Sequence, residues 1–157
     1  MILKFNSDSL NSLDLIRQNQ SLVFTNGCFD LLHAGHVQYL QDAAKLGALI
    51  VGLNSDSSVK QLKGDKRPIL AEKERAAILM GLKGVAAVII FDEETPLKLI
   101  QTIKPQILVK GGDWPADKIV GADFVLKSGG KVESLPFHEG HSTTEIVERV
   151  LERYQGY

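Results

Sequence analysis

Cysteine is almost absent: Cys28 is the only thiol in the 157-residue chain. No internal disulfide can form, which suits a reducing compartment. An excess of either charge is missing too. Eighteen basic residues stand against 19 acidic ones, a formal net charge of −1. That balance argues against a bulk nucleic-acid binder, while leaving room for a local cationic pocket. No apolar run reaches membrane-spanning length. The opening residues Met1-Ile2-Leu3-Lys4-Phe5-Asn6-Ser7-Asp8 lack a basic region followed by a long apolar stretch. The expected location is cytoplasmic, with no membrane and no nucleic-acid partner. No repeat, low-complexity tract or linker interrupts the sequence, so residues 1–157 are expected to form a single domain. Two phosphate-binding fingerprints are missing as well. No G-x-G-x-x-G follows the first apolar strand, and no G-x-x-x-x-G-K-S/T occurs anywhere. This argues against an ordinary dinucleotide oxidoreductase and against a P-loop kinase.

What is present is an alternation of strand-like and helix-like segments. Leu22-Val23-Phe24, Leu49 to Leu53, Val85 to Phe91, Ile107 to Val109 and Val132 to Leu135 read as strands. Between them, Val37, Leu40 and Ala44 recur at helical spacing, and Ala71 to Leu82 is rich in helix formers. Thr95-Pro96 reads as a helix start, with Thr as N-cap and Pro in the first helical position. Gly121 to Ser128 reads as a short helix. A last helix from about Ser142 puts Val147, Val150, Leu151 and Tyr154 on one face. The expected fold class is α/β, a Rossmann-like doubly wound parallel sheet of about five strands with flanking helices. Asn54 to Pro68 reads as a long polar connection, a mobile flap. Ligands in such sheets sit at the carboxyl ends of the strands. Residues 25–36, 110–115 and 138–144 fall at such ends.

The first of these, Thr25-Asn26-Gly27-Cys28-Phe29-Asp30-Leu31-Leu32-His33-Ala34-Gly35-His36, is the most informative. Gly27 and Gly35 let backbone approach a ligand closely. The helix start that follows favours an anion, and His33 and His36 can donate to phosphate oxygens. A single histidine at a helix end usually caps and packs. A pair bracketed by glycines after a strand points instead to phosphate handling. Zinc would lack a third and fourth ligand, and a Cys28–His nucleophile would lack an orienting group. Cys28 is most simply a small buried residue. Asp30 is either a turn aspartate or an orienting carboxylate.

The other clusters are less specific. Ser142 and Glu145 satisfy the capping-box pattern. Thr143 and Thr144 exceed what capping needs, and three hydroxyls at a helix N-terminus can also hold a polyphosphate. His138 and His141 either contact ligand or are solvated. Lys110, Gly112 and Asp113 follow a strand directly, with Trp114 available to stack on a base. Lys60, Lys63, Lys66 and Arg67 make the polar connection basic, which is either a solvated face or a phosphate-closing surface. Arg75 either reaches the same region or pairs with Glu72.

The H-x-G-H core, with Gly27, Phe29, Asp30 and Ser142-Thr143-Thr144, resembles the nucleotidyltransferase superfamily that includes the cytidylyltransferases. Arg67-Pro68-Ile69, Glu74-Arg75, Val109 to Asp113 and Gly140 to Thr144 bring it closest to the branch that adenylylates D-glycero-D-manno-heptose 1-phosphate. Phe137-His138 and Gly112 depart from the glycerol-3-phosphate cytidylyltransferase branch, whereas Trp114 resembles it. The resemblance implies ATP and a sugar 1-phosphate as substrates, Mg²⁺ with the ATP, and pyrophosphate release. It implies catalytic roles for His33 and His36. Asn26, Gly27, Cys28, Phe29, Gly35, Lys110, Gly112, Asp113, Ser142, Thr143 and Thr144 would bind nucleotide, and Asp30, Lys63, Arg67 and Arg75 the acceptor. Members of this branch are often fused to a sugar kinase. The chain is expected to be a stand-alone form, and exposed strands or loops leave room for a homodimer. Two rivals remain open, a CTP-dependent transferase of a small polyol or amino-alcohol phosphate and a non-catalytic nucleotide-binding module.

Overall fold

The computed structural model describes residues 1–6, 11–112, 114–115, 118–136 and 142–155. The chain order is β1 (Ile2–Lys4), α1 (Asn11–Asn19), β2 (Leu22–Gly27), α2 (Ala34–Ala44), β3 (Ala48–Asn54), α3 (Asp56–Lys63) and α4 (Glu72–Met80). It continues with β4 (Val85–Phe91), α5 (Leu97–Ile103), β5 (Ile107–Gly111), α6 (Ala122–Lys127), β6 (Lys131–Leu135) and α7 (Thr143–Tyr154). The strands form one sheet in the order β1-β4-β3-β2-β5-β6, and every pairing is parallel. This is the Rossmann-like fold that the sequence implies, with six strands among the described residues.

The residues of β2 and β3 alternate between two cores because successive side chains point to opposite sheet faces. Leu22, Phe24 and Ile50 pack with Leu13 of α1, Ile100 of α5 and Val125 of α6. Val23, Leu49 and Val51 pack with Leu40 of α2 and Leu79 of α4. Both faces are thus covered, which is why these strands read as continuous apolar runs rather than as alternating ones.

Three elements went unread in the sequence. β1 is a three-residue edge strand whose end residues are exposed, too short for any periodicity to show. Leu13 is the one buried residue of α1, so its apolar stripe is faint. Most of the connection read as a flap is α3. Ser55 caps it by accepting from the Ser58 N–H at 3.2 Å, and it buries only Ser58 and Val59. Its polarity reflects a half-exposed helix rather than a loop.

Candidate active site

β2 and β3 stay in register to Gly27↔Leu53. β2 and β5 pair only at Val23↔Ile107 and Phe24↔Leu108. The chain crosses to the other side of β2 between β4 and β5, so this parting of strands is the switch point at which such sheets bind ligands.

The segment between β2 and α2 is irregular. Phe29 and Leu31 have φ of 46° and 51°, left-handed values uncommon for bulky residues. Gly27 is tucked against the Phe29 ring, where a Cβ would stand 3.1 Å from the nearest ring carbon. His33 is the N-cap of α2, its Nδ1 accepting from the His36 N–H at 3.4 Å. The two imidazoles stack with centroids 3.8 Å apart and planes 24° from parallel. Phe29 meets His36 edge-on at 5.4 Å. Gly35 is buried in the first turn of α2.

His36 carries a buried Nδ1 with no hydrogen-bond partner among the described residues. Burial, and then the neighbouring His33, push its pKa down to about 4. The ring is therefore neutral in the free site at pH 7. In the unfolded chain it titrates near its ordinary value of about 6.5. As pH falls below that value, the unfolded state takes up the proton first, and stability drains away until the folded ring titrates as well. The melting temperature of the free protein should therefore fall between pH 6.5 and about pH 4. The fall should be shallower in His36→Gln, and parallel curves for the two proteins would contradict this environment.

Asp30 joins three stretches of chain. Its carboxylate accepts from Arg67 Nη1 at 2.6 Å, the Ile69 N–H at 2.9 Å and the Leu70 N–H at 3.1 Å. Its backbone carbonyl accepts from Thr143 Oγ1 at 2.7 Å. Burial favours the neutral acid, but the two N–H groups and Arg67 outweigh it and hold the carboxyl below its ordinary range.

Arg75 is fully buried. Its guanidinium donates to the Leu70, Cys28 and Asn54 carbonyls at 2.9, 2.6 and 2.9 Å, and pairs with Asp56 at 2.8 Å. Asp56, rather than Glu72, is its acidic partner. Glu72 instead accepts from the Asp56 N–H at 2.9 Å.

These elements enclose a cavity of about 450 Å³. Its walls are Asn26 to Asp30 from the β2 end, His36 from α2, Asn54 from β3, Val59, Leu62 and Lys63 from α3, Arg67, Lys110 from β5, and Thr143 and Thr144 from α7. Burial lowers the Lys110 pKa, opposed by nearby Cys28. Burial raises the pKa of the Cys28 thiol, which is half-buried in the cavity wall rather than sealed in the core. A smaller cavity of about 210 Å³ shares Asn26 and Lys110, and adds Trp114, Lys118 and Ile119.

Several expected site residues stand outside the larger cavity. His33 stacks on His36 without lining it. Ser142 makes the capping box, accepting from the Glu145 N–H at 3.1 Å while Glu145 accepts from the Ser142 N–H at 3.0 Å. Gly112 has φ 94°. Its N–H donates to the Leu135 carbonyl at 2.7 Å, and its carbonyl accepts from the Trp114 N–H and the Ser134 hydroxyl. Arg75 has its donors engaged by the protein. Asp113, His138 and His141 lie outside the described residues. Asn54, Val59 and Leu62 line the cavity unanticipated. Asn54 ends an apolar strand, and that position is the signal that could have found it. Val59 and Leu62 were hidden in the segment read as a flap.

Residues 24–149 match the cytidylyltransferase-like family. The chain is 55% identical over 140 residues to the bifunctional protein HldE of Syntrophotalea carbinolica, covering 88% of this chain and 29% of that protein. It is 58% identical over 138 residues to the HldE of Pelobacter propionicus, covering 87% of this chain and 28% of the relative. The chain thus spans less than a third of the length of these relatives. A solved lipopolysaccharide core biosynthesis protein from Thermoplasma volcanium superposes with a TM-score of 0.60 at 30% identity, over 78% of this chain and all of that one. A pantoate-β-alanine ligase from Francisella tularensis, crystallised with β,γ ATP and β-alanine, also reaches 0.60, over 97% of this chain and 78% of its own. At 15% identity it shares the fold alone.

Proposed function

The chain belongs to the cytidylyltransferase-like family of nucleotidyltransferases, and on that premise we propose that it transfers AMP from ATP to D-glycero-D-manno-heptose 1-phosphate. An oxygen of the sugar phosphate attacks the α-phosphorus of ATP, and a new P–O bond forms there. The bond from that phosphorus to the bridging oxygen of the β-phosphate breaks, and pyrophosphate leaves with the electron pair. No covalent enzyme intermediate is needed, and the protein's part is positioning and charge neutralisation.

The observation that carries the reading is convergence. His36, Lys63, Arg67, Lys110, Thr143 and Thr144 come from five parts of the chain and line one cavity at the switch point. Apart from the Thr143 hydroxyl, which donates to the Asp30 carbonyl, all bring side-chain donors to the cavity wall, as an anion with many phosphate oxygens requires. His36, with His33 stacked behind it, would stabilise the charge developing at the α- and β-phosphates. Thr144, and Thr143 through its backbone N–H at the start of α7, with Ser142 at their helix N-cap, would hold the β- and γ-phosphates. The backbone from Asn26 to Phe29, with Gly35 allowing the close approach of α2, would seat the nucleotide. Its base would lie toward Gly112, Asp113 and Trp114. Lys63 and Arg67 would take the acceptor phosphate. Asp30 would act by fixing Arg67, and Arg75 by fixing the walls.

No group of three or more His, Cys, Asp or Glu among the described residues could hold a metal ion. The Asp30 carboxylate, the acidic group among the described residues of the cavity wall, is engaged by Arg67 and two N–H groups. That donor set fits Mg²⁺ arriving on the nucleotide phosphates, where it supplies charge neutralisation. No helix among the described residues is long and apolar enough to cross a membrane. The homodimer for which exposed strands or loops leave room is tested by sedimentation equilibrium.

Pyrophosphate release with ATP and with CTP, against a panel of phosphate acceptors, tests the proposal. Release with ATP and the heptose phosphate is expected. Release with CTP and a small polyol phosphate would move the chain to the cytidylyltransferase reading. Nucleotide binding without pyrophosphate from any acceptor would make it a binding module.

A further inference from the structure

The point where β2 and β5 part is occupied by a side chain of α2. The Tyr39 hydroxyl lies 2.6 Å from Thr25 Oγ1 and donates to the Val109 carbonyl at 3.4 Å. The Gly111 backbone also hydrogen-bonds the phenol oxygen. These groups are related in a particular way. In a parallel ladder, one residue bonds the carbonyl and the N–H of two residues flanking its partner. The last observed pair is Phe24↔Leu108. Alternate residues aim their backbone groups to the same side, so the next rung would join Asn26 to the Val109 carbonyl and the Gly111 N–H. Those are the two β5 groups that the Tyr39 hydroxyl meets.

We propose that Tyr39 is a positioning residue whose hydroxyl replaces the next rung of the β2–β5 ladder and holds the nucleotide crevice open. A phenol can do this because its oxygen both donates and accepts. Burial pushes the phenol pKa up to about 12, so it stays protonated and able to donate. The ring is anchored in the core beneath α2, with Leu40, Val23 and Val109 in the same cluster. His36 stands one turn earlier on the same helix and on the same face. The wedge therefore also fixes how far His36 stands from β5. The displaced strand residue, Asn26, lines the larger cavity, the smaller one, and a third of about 150 Å³ that reaches Tyr39 itself.

This inference rests on the adenylyltransferase reading for its ATP-binding arm alone, and the exchange arm stands without it. Tyr39→Phe keeps the ring and removes the hydroxyl, leaving Asn26 as the natural partner for Val109 and Gly111. Amide hydrogen exchange on the free variant should show the Asn26 N–H slowed at least about tenfold as the ladder zips. ATP should bind about tenfold or more weakly, while the melting temperature changes by only a few degrees. Thr25→Val, which removes the hydroxyl's other partner and leaves Tyr39 in place, should weaken ATP about threefold, and the double variant should be no worse than Tyr39→Phe alone. Wild-type exchange at Asn26 together with wild-type ATP affinity in Tyr39→Phe would overturn the proposal. Should that variant not fold, Thr25→Val with wild-type affinity would overturn it equally. Neither exchange nor ATP binding depends on the acceptor, so failure of the heptose reading leaves this test intact.

Discussion

Replacing His36 by alanine is expected to lower turnover by about 10²- to 10³-fold while the protein stays folded. The ring lines the cavity, and its buried Nδ1 has no partner among the described residues. Its removal therefore orphans no described protein group, and the loss of contact with Phe29 and His33 is a packing defect of modest size. On the proposed role, the loss would come from a donor aimed at charge that develops only in the transition state, so kcat should fall much more than KM for ATP rises. Single-turnover pyrophosphate release, read beside a thermal melt, checks this. Near-normal release from a folded variant would remove His36 from the mechanism.

The second large effect is on stability. Arg75→Ala should destabilise the fold by about 3–5 kcal/mol, the range seen when one partner of a buried charged network is removed. The side chain joins Cys28 beyond β2, Asn54 at the end of β3, Leu70 before α4, and Asp56 in α3. Asp56 is 38% exposed and can be rehydrated, so most of the penalty falls on the carbonyls left without a donor. Arg75→Lys should recover little, because one ammonium cannot span four acceptors in a fixed fork. Urea denaturation measures the effect. A full loss of acceptor binding with an unchanged midpoint would instead return Arg75 to direct substrate contact.

Arg75 also shows where the sequence was legible and where it was not. The strand–glycine–histidine segment could be read because its chemistry is local. Gly27, His33, Gly35 and His36 lie within ten residues of one another at a strand end, and the fold class implies where strand ends go. The capping box at Ser142 was legible for the same reason. The partners of Arg75 and Asp30 were not, because they come from segments 5 to 113 residues away and depend on how loops cross. Arg67 and Arg75 look alike in sequence. One faces the cavity and the other is enclosed, a difference set by the packing of α3 and α4. Tyr39 did not stand out in the sequence, because a hydroxyl that replaces a ladder rung is visible only once the register of β2 and β5 is known.

The most direct test of the central claim follows the α-phosphate. With ATP labelled at that position, D-glycero-D-manno-heptose 1-phosphate and Mg²⁺, the label should move into a sugar nucleotide in step with unlabelled pyrophosphate, and only when the acceptor is present. Label that stays in ATP, while CTP is consumed with a different phosphate acceptor or no pyrophosphate forms at all, would contradict it.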